Sequence, residues 1–82
     1  MITFYARPTC PYCARVRIVL DDLDIEYVER DIAEEEYLNE LLDEGGEQQV
    51  PFIVDGDHSV KLYESDDIIE YLEKTYSSKD DE

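Results

Sequence analysis

Ile2-Thr3-Phe4-Tyr5-Ala6-Arg7-Pro8-Thr9-Cys10-Pro11-Tyr12-Cys13-Ala14-Arg15-Val16 passes from strand-like to helix-like residues across one short loop. The apolar run Ile2 to Tyr5 predicts a buried strand, and Pro8 stops it. Pro11 suits a first helical position, where its missing N–H costs nothing. Val16, Val19, Leu20 and Leu23 then recur at helical spacing, and Asp21, Asp22 and Asp24 close the segment. Cys10 is thereby expected at a helix N-terminus, beside unpaired N–H groups and the positive end of the dipole, where a thiol ionises easily. Cys13, one turn on, lies behind it and can attack a mixed disulfide formed there.

Working outward, residues 25–28 read as a second strand and 33–44 as an amphipathic helix with Leu38, Leu41 and Leu42 on its apolar side, ending at Gly45-Gly46. Residues 51–54 and 59–63 flank Asp55-Gly56-Asp57-His58, a hairpin signature in which His58 is read as a solvated turn residue. Ser65 reads as a cap and Asp66 and Asp67 as an acidic first turn for a last helix, whose Ile68, Ile69, Leu72 and Tyr76 face the core. The order β-α-β-α-β-β-α predicts an α/β fold, a four-stranded mixed sheet with three helices on its faces. One domain over residues 1–76 and a polar acidic tail over 77–82 are expected.

Composition narrows the function. The 82 residues carry 43% hydrophobic and 37% charged side chains, enough for a small core under a strongly solvated surface. A net charge of −16 repels nucleic acid and anionic membranes, so neither is expected as a partner. Residues 1–20 hold Arg7, Arg15 and Arg17 and no acid, whereas all 23 acids fall in the remainder against four bases. The one basic segment surrounds the only two cysteines, which suits a thiolate or an anionic substrate. No apolar run of signal-peptide or membrane-span length occurs in residues 1–20, so a cytoplasmic location is expected; a monomer is expected as well. A disulfide closing so short a loop would stabilise little, which favours a redox pair over a structural one. Zinc would want about four ligands, and His58, distant in the hairpin, is the only histidine; no metal is expected.

Arg7-Pro8-Thr9-Cys10-Pro11-Tyr12-Cys13 resembles the active-site segment of dithiol glutaredoxins, Gln49-Val50-Pro51 resembles their Thr-Val-Pro loop, and Ser65-Asp66-Asp67 resembles the segment that opens their last helix. The resemblance spans Ile2 to Tyr76. It implies a thioredoxin-like fold with Cys10 as nucleophile, Cys13 as resolving thiol and Pro51 as a cis-proline facing them, where an ordinary trans proline opening a strand is the alternative. It further implies that Arg7 serves the thiolate and a substrate carboxylate, that Pro11 and Tyr12 belong to the substrate site, Tyr12 as a partly exposed wall with a packing residue as the alternative, and that the Val50 backbone pairs with an extended thiol peptide. Ser65 and Asp66 would take a γ-glutamyl carboxylate and amine, with simple capping as the alternative. Leu62-Tyr63-Glu64-Ser65-Asp66-Asp67-Ile68-Ile69-Glu70-Tyr71-Leu72 is also similar to the Glu-Ser segment of glutathione S-transferase N-terminal domains.

The function implied is reduction of protein disulfides and of mixed disulfides of a small γ-glutamyl thiol, glutathione or γ-glutamylcysteine, which acts as co-substrate with no cofactor bound. An iron–sulfur cluster carrier, and an electron donor to a reductase such as ribonucleotide reductase, are the alternatives. The acid excess with three lysines is similar to proteins of organisms that hold molar salt in the cytoplasm. A halophilic, haloarchaeal source is implied, in which γ-glutamylcysteine replaces glutathione.

Overall fold

The computed structural model describes residues 1–76, so the expected tail over 77–82 lies outside the described residues. Seven elements follow in the order β1 (Ile2–Ala6), α1 (Pro11–Asp22), β2 (Tyr27–Asp31), α2 (Glu35–Gly45), β3 (Phe52–Asp55), β4 (Val60–Tyr63) and α3 (Ser65–Tyr76). The strands form one sheet ordered β2-β1-β3-β4. β1 runs parallel to β2 and antiparallel to β3, and β3 pairs antiparallel with β4 as a hairpin. This is the mixed, thioredoxin-like sheet that the element order predicts.

Alternation along β1 divides the core. Ile2, Phe4 and Ala6 point to one face with Ile53, where Cys13, Val16 and Leu20 of α1 and Ile68 and Leu72 of α3 cover them. Tyr5 points to the other face, where Phe52, Ile32 and Leu41 join it under α2. α1 and α3 therefore share one face and α2 lies alone on the other. Leu41 is the one fully buried side chain of α2, with Leu38 partly buried beside it. Leu42, expected on the same apolar side, is instead exposed, because a single layer of sheet accommodates only the Leu38–Leu41 edge.

Gly45 and Gly46 end α2 for different reasons. Gly46 adopts a left-handed φ of 87° and donates its N–H to the Leu42 carbonyl at 2.9 Å. At Gly45 a Cβ would stand 2.2 Å from the Tyr63 hydroxyl oxygen and 3.0 Å from the Phe52 ring, so the hairpin packs directly on bare backbone.

Three local expectations are corrected. The second strand begins at Tyr27 and runs to Asp31, later than the apolar cluster around Ile25 suggests. Its hold is pairing with β1 plus ion pairs, since the Arg17 guanidinium of α1 grips Glu29 through Nε at 2.9 Å and Arg30 binds Glu40 of α2. Ser65 is the first residue of α3 and not the residue before it; Glu64, at a φ of 71°, precedes it and its carbonyl accepts the Ile68 N–H. His58, half exposed, is more than a solvated turn residue: its Nδ1 lies 2.9 Å from Asp55 Oδ2. That oxygen also accepts the hydroxyls of Tyr71 and Tyr76, each at 2.5 Å, and Oδ1 accepts the Asp57 N–H at 3.1 Å. Asp55 is completely buried, and these four donors replace the water it loses. The cluster ties the far end of α3 to the β3–β4 turn.

Candidate functional site

The loop after β1 delivers Cys10 to the N-cap of α1, with Pro11 as first helical residue. The Cys10 backbone is extended there (φ −83°, ψ 117°), and its N–H closes a turn on the Arg7 carbonyl at 3.2 Å. This geometry turns the sulfur onto the open end of the helix, where it accepts the Cys13 N–H at 3.3 Å. Burial opposes ionisation of Cys10, but hydrogen bonds from Cys13 and the Tyr12 N–H, with the charge of Arg17, outweigh it and hold the thiol below its ordinary value. Cys13 is fully buried in the α1–α3 core and its thiol is pushed up, first by that burial and then by Cys10 itself. Both cysteines are free. One turn of helix thus holds a half-buried, easily ionised sulfur in front of a buried, protonated one.

Beside the pair lies a cleft of about 430 Å³, a volume typical of small-molecule sites, lined by Tyr12, Arg15, Val50, Pro51, Ser65 and Asp66 together with Gln49 and Glu64. The Val50–Pro51 peptide bond is cis, which leaves the trans alternative unoccupied. Val50 precedes β3, so its main chain lies just outside the strand pairings that begin at Phe52. Tyr12 is 58% exposed and stands over the cleft as an open wall. Ser65 is buried at the start of α3, and Asp66 beside it projects outward.

Of the residues singled out from sequence, the structure therefore brings Tyr12, Val50, Pro51, Ser65 and Asp66 into one wall. Arg7 and Pro11 are exposed and stand outside that lining. Arg7 is also without an ion pair among the described residues, whereas Arg15, Arg17, Arg30, Lys61 and Lys74 each hold a carboxylate. Arg15, Gln49 and Glu64 complete the lining; the sequence placed each in a motif or in the basic segment without giving it a binding role of its own. Arg15 reaches across from α1 to Asp66 at 3.1 Å, and the Gln49 amide donates to Glu64 at 2.9 Å. Their sequence signs were the clustering of arginines near the cysteines for Arg15, the Gln49-Val50-Pro51 loop for Gln49 and the Glu64-Ser65 segment for Glu64. No helix among the described residues is long and apolar enough to cross a membrane, and no group of three or more His, Cys, Asp or Glu among them is placed to hold a metal ion.

Comparison with known proteins agrees with this geometry. The family described as glutathione S-transferase, N-terminal domain, matches residues 4–80. No curated protein matches the sequence. Among solved structures, a glutathione S-transferase from the Antarctic clam Laternula elliptica is 33% identical with a TM-score of 0.78, over 93% of this chain and 35% of that one. Glutathione transferase Omega 3C from Trametes versicolor is 26% identical with a TM-score of 0.81, over 93% and 34%. The glutathione transferase URE2P6 from Phanerochaete chrysosporium, solved in complex with oxidized glutathione, is 26% identical with a TM-score of 0.79, over 95% and 37%. The chain spans little more than a third of the length of each.

Proposed function

The chain belongs to the family of glutathione S-transferase N-terminal domains, and from that premise we propose that it is a thiol–disulfide oxidoreductase of the glutaredoxin type, acting through Cys10 and Cys13. The observation that carries the reading is the asymmetry of the pair: Cys10 sulfur on the helix N-terminus, accepting the Cys13 N–H at 3.3 Å, with the Cys13 thiol buried and raised behind it. Cys10 thiolate attacks one sulfur of a disulfide, the new Cys10–sulfur bond forms, and the other half leaves as a thiolate. Cys13 then attacks Cys10 sulfur, its proton passing to the second departing thiolate, and the protein is left with a Cys10–Cys13 disulfide. Two equivalents of a small thiol restore the dithiol and leave as their own disulfide. On a mixed disulfide of that thiol, a second thiol molecule can discharge Cys10 directly, without Cys13.

The cleft supplies the small thiol's place. Ser65 and Asp66 at the start of α3 suit a γ-glutamyl carboxylate and amine, and Val50 and Tyr12 the cysteinyl portion. Arg7, exposed and outside the cleft's lining, serves anionic substrates in general. α2 offers Glu35, Glu36 and Glu40 and no cation for a glycine carboxylate, which suits γ-glutamylcysteine as well as glutathione. Disulfide-bearing proteins are the second substrate class, and a monomer in a saline cytoplasm fits the net charge of −16.

The test is alkylation and turnover. Near neutral pH iodoacetamide is expected to modify Cys10 before Cys13. Cys10→Ser should abolish all exchange, whereas Cys13→Ser should keep turnover of small-thiol mixed disulfides and lose protein disulfides. Labelling of Cys13 first would refute the assignment.

A further inference from the structure

We propose that Arg15 is the residue that reads the α-carboxylate of the small thiol, so that the cleft selects ligands with a free α-amino-carboxylate end; this rests on the small-thiol reading above. Arg15 is the only cation among the cleft's lining residues, against two acids, Glu64 and Asp66. Glu64 is held by Gln49, and Asp66 Oδ1 by one Arg15 Nη at 3.1 Å. The guanidinium keeps its other donors and Asp66 its second oxygen. With side chains 54% and 82% exposed, the pair is a weak internal contact that a ligand can share. An α-amino acid end carries a carboxylate and an ammonium on one carbon. Placed against the pair, its carboxylate meets Arg15 and its ammonium meets Asp66, so that four charges alternate in sign. A carboxylate without the ammonium would instead face Asp66 and Glu64 uncompensated, and an ammonium without the carboxylate would leave Arg15 unanswered.

The pair joins α1, which carries the cysteines, to α3, which carries Ser65. Its position therefore orients the ligand's charged end relative to Cys10 from both helices at once. Arginine is suited to this because its fork can hold two carboxylates side by side, which an ammonium point charge does less well.

Binding of unreactive probes tests the proposal independently of disulfide exchange. S-methyl-γ-glutamylcysteine, whose sulfur is blocked, and the same compound with its α-carboxylate amidated are titrated into the reduced protein by calorimetry or NMR. Wild type should bind the carboxylate form about 10- to 100-fold more tightly, the range expected of a hydrogen bond between charged groups. Arg15→Gln should remove most of the preference between the two probes by weakening the carboxylate form alone, leaving what the Ser65 end of α3 supplies, with the melting temperature used to confirm that the variant is folded. Arg15→Lys should retain part of the preference. An Arg15→Gln loss that falls equally on both probes, or a wild-type protein that binds both alike or neither, overturns the proposal. Loss of exchange activity with the binding preference intact would count against the oxidoreductase reading only.

Discussion

Asp55→Asn should destabilise the domain far more than a turn residue ordinarily would. Asp55 is completely buried and takes hydrogen bonds from Tyr71, Tyr76, His58 and the Asp57 N–H. Burial would raise its carboxyl, yet these donors together hold it at about 2 against an ordinary 3.8. That difference corresponds to about 2 to 3 kcal/mol of preference for the charged form in the folded state. An asparagine amide loses the charge and also turns an N–H toward a donor, at about 1 to 3 kcal/mol more. Urea unfolding followed by circular dichroism should therefore show a loss of roughly 3 to 6 kcal/mol, with the melting temperature down by well over 10 °C for a domain of this size. The pH dependence has a definite sign. Because the folded carboxyl is depressed, its contribution is present above about 3.8 and disappears as pH falls toward about 2. The gap between wild type and variant should be constant near neutrality and narrow over that acid range by the charge-dependent part, about 2 to 3 kcal/mol. The same cluster raises Tyr71 to about 12, by burial and by Asp55, so Tyr71 should ionise at lower pH in the variant, seen in tyrosinate absorbance. A loss under about 1 kcal/mol, or a gap indifferent to acid, would refute the account of Asp55 as a charged anchor.

Gly45→Ala should destabilise by about 1 to 3 kcal/mol, although helix propensity alone favours alanine by about 1 kcal/mol. The reason is that Tyr63, which a Cβ would meet, is pinned by accepting the Glu47 N–H at 3.0 Å and donating to the Glu47 carbonyl at 2.7 Å; a stabilised variant in chemical denaturation would contradict this. The wild-type midpoint should rise between dilute buffer and about 2 M potassium chloride, as the Debye length falls from about 10 Å toward 3 Å and self-repulsion of a −16 chain is screened. A flat or falling midpoint would remove the halophilic reading.

What the sequence disclosed depended on how local each signal was. Pro11 behind Cys10, the turn at Asp55-Gly56, and Gly45-Gly46 act within a few residues, and each element they punctuate is in place. β2 was misplaced because Glu29, Arg30 and Asp31 do not look like a strand; their partners, the backbone of β1 and the charges Arg17 and Glu40, come from elsewhere in the chain. Asp55 read as a turn residue for the same reason, since two of its donors, Tyr71 and Tyr76, lie a helix away. In the site, the cysteines and the walls at Val50, Pro51, Ser65 and Asp66 were legible through their motifs. Arg15 and Asp66 are 51 residues apart, and no spacing announces that contact.

The sheet order leaves β2 and β4 at the margins, each with one row of backbone groups unpaired by a neighbouring strand. Such margins invite strand-to-strand aggregation between molecules. In dilute buffer a charge of −16 keeps copies apart, but molar salt would silence that repulsion at all but the shortest range. The guard that survives is local: Glu29, Arg30 and Asp31 line one margin and Lys61 sits on the other. Their desolvation would have to accompany any docking of a second strand, so colloidal solubility in brine would rest on the composition of two short edges and not on the net charge of the molecule.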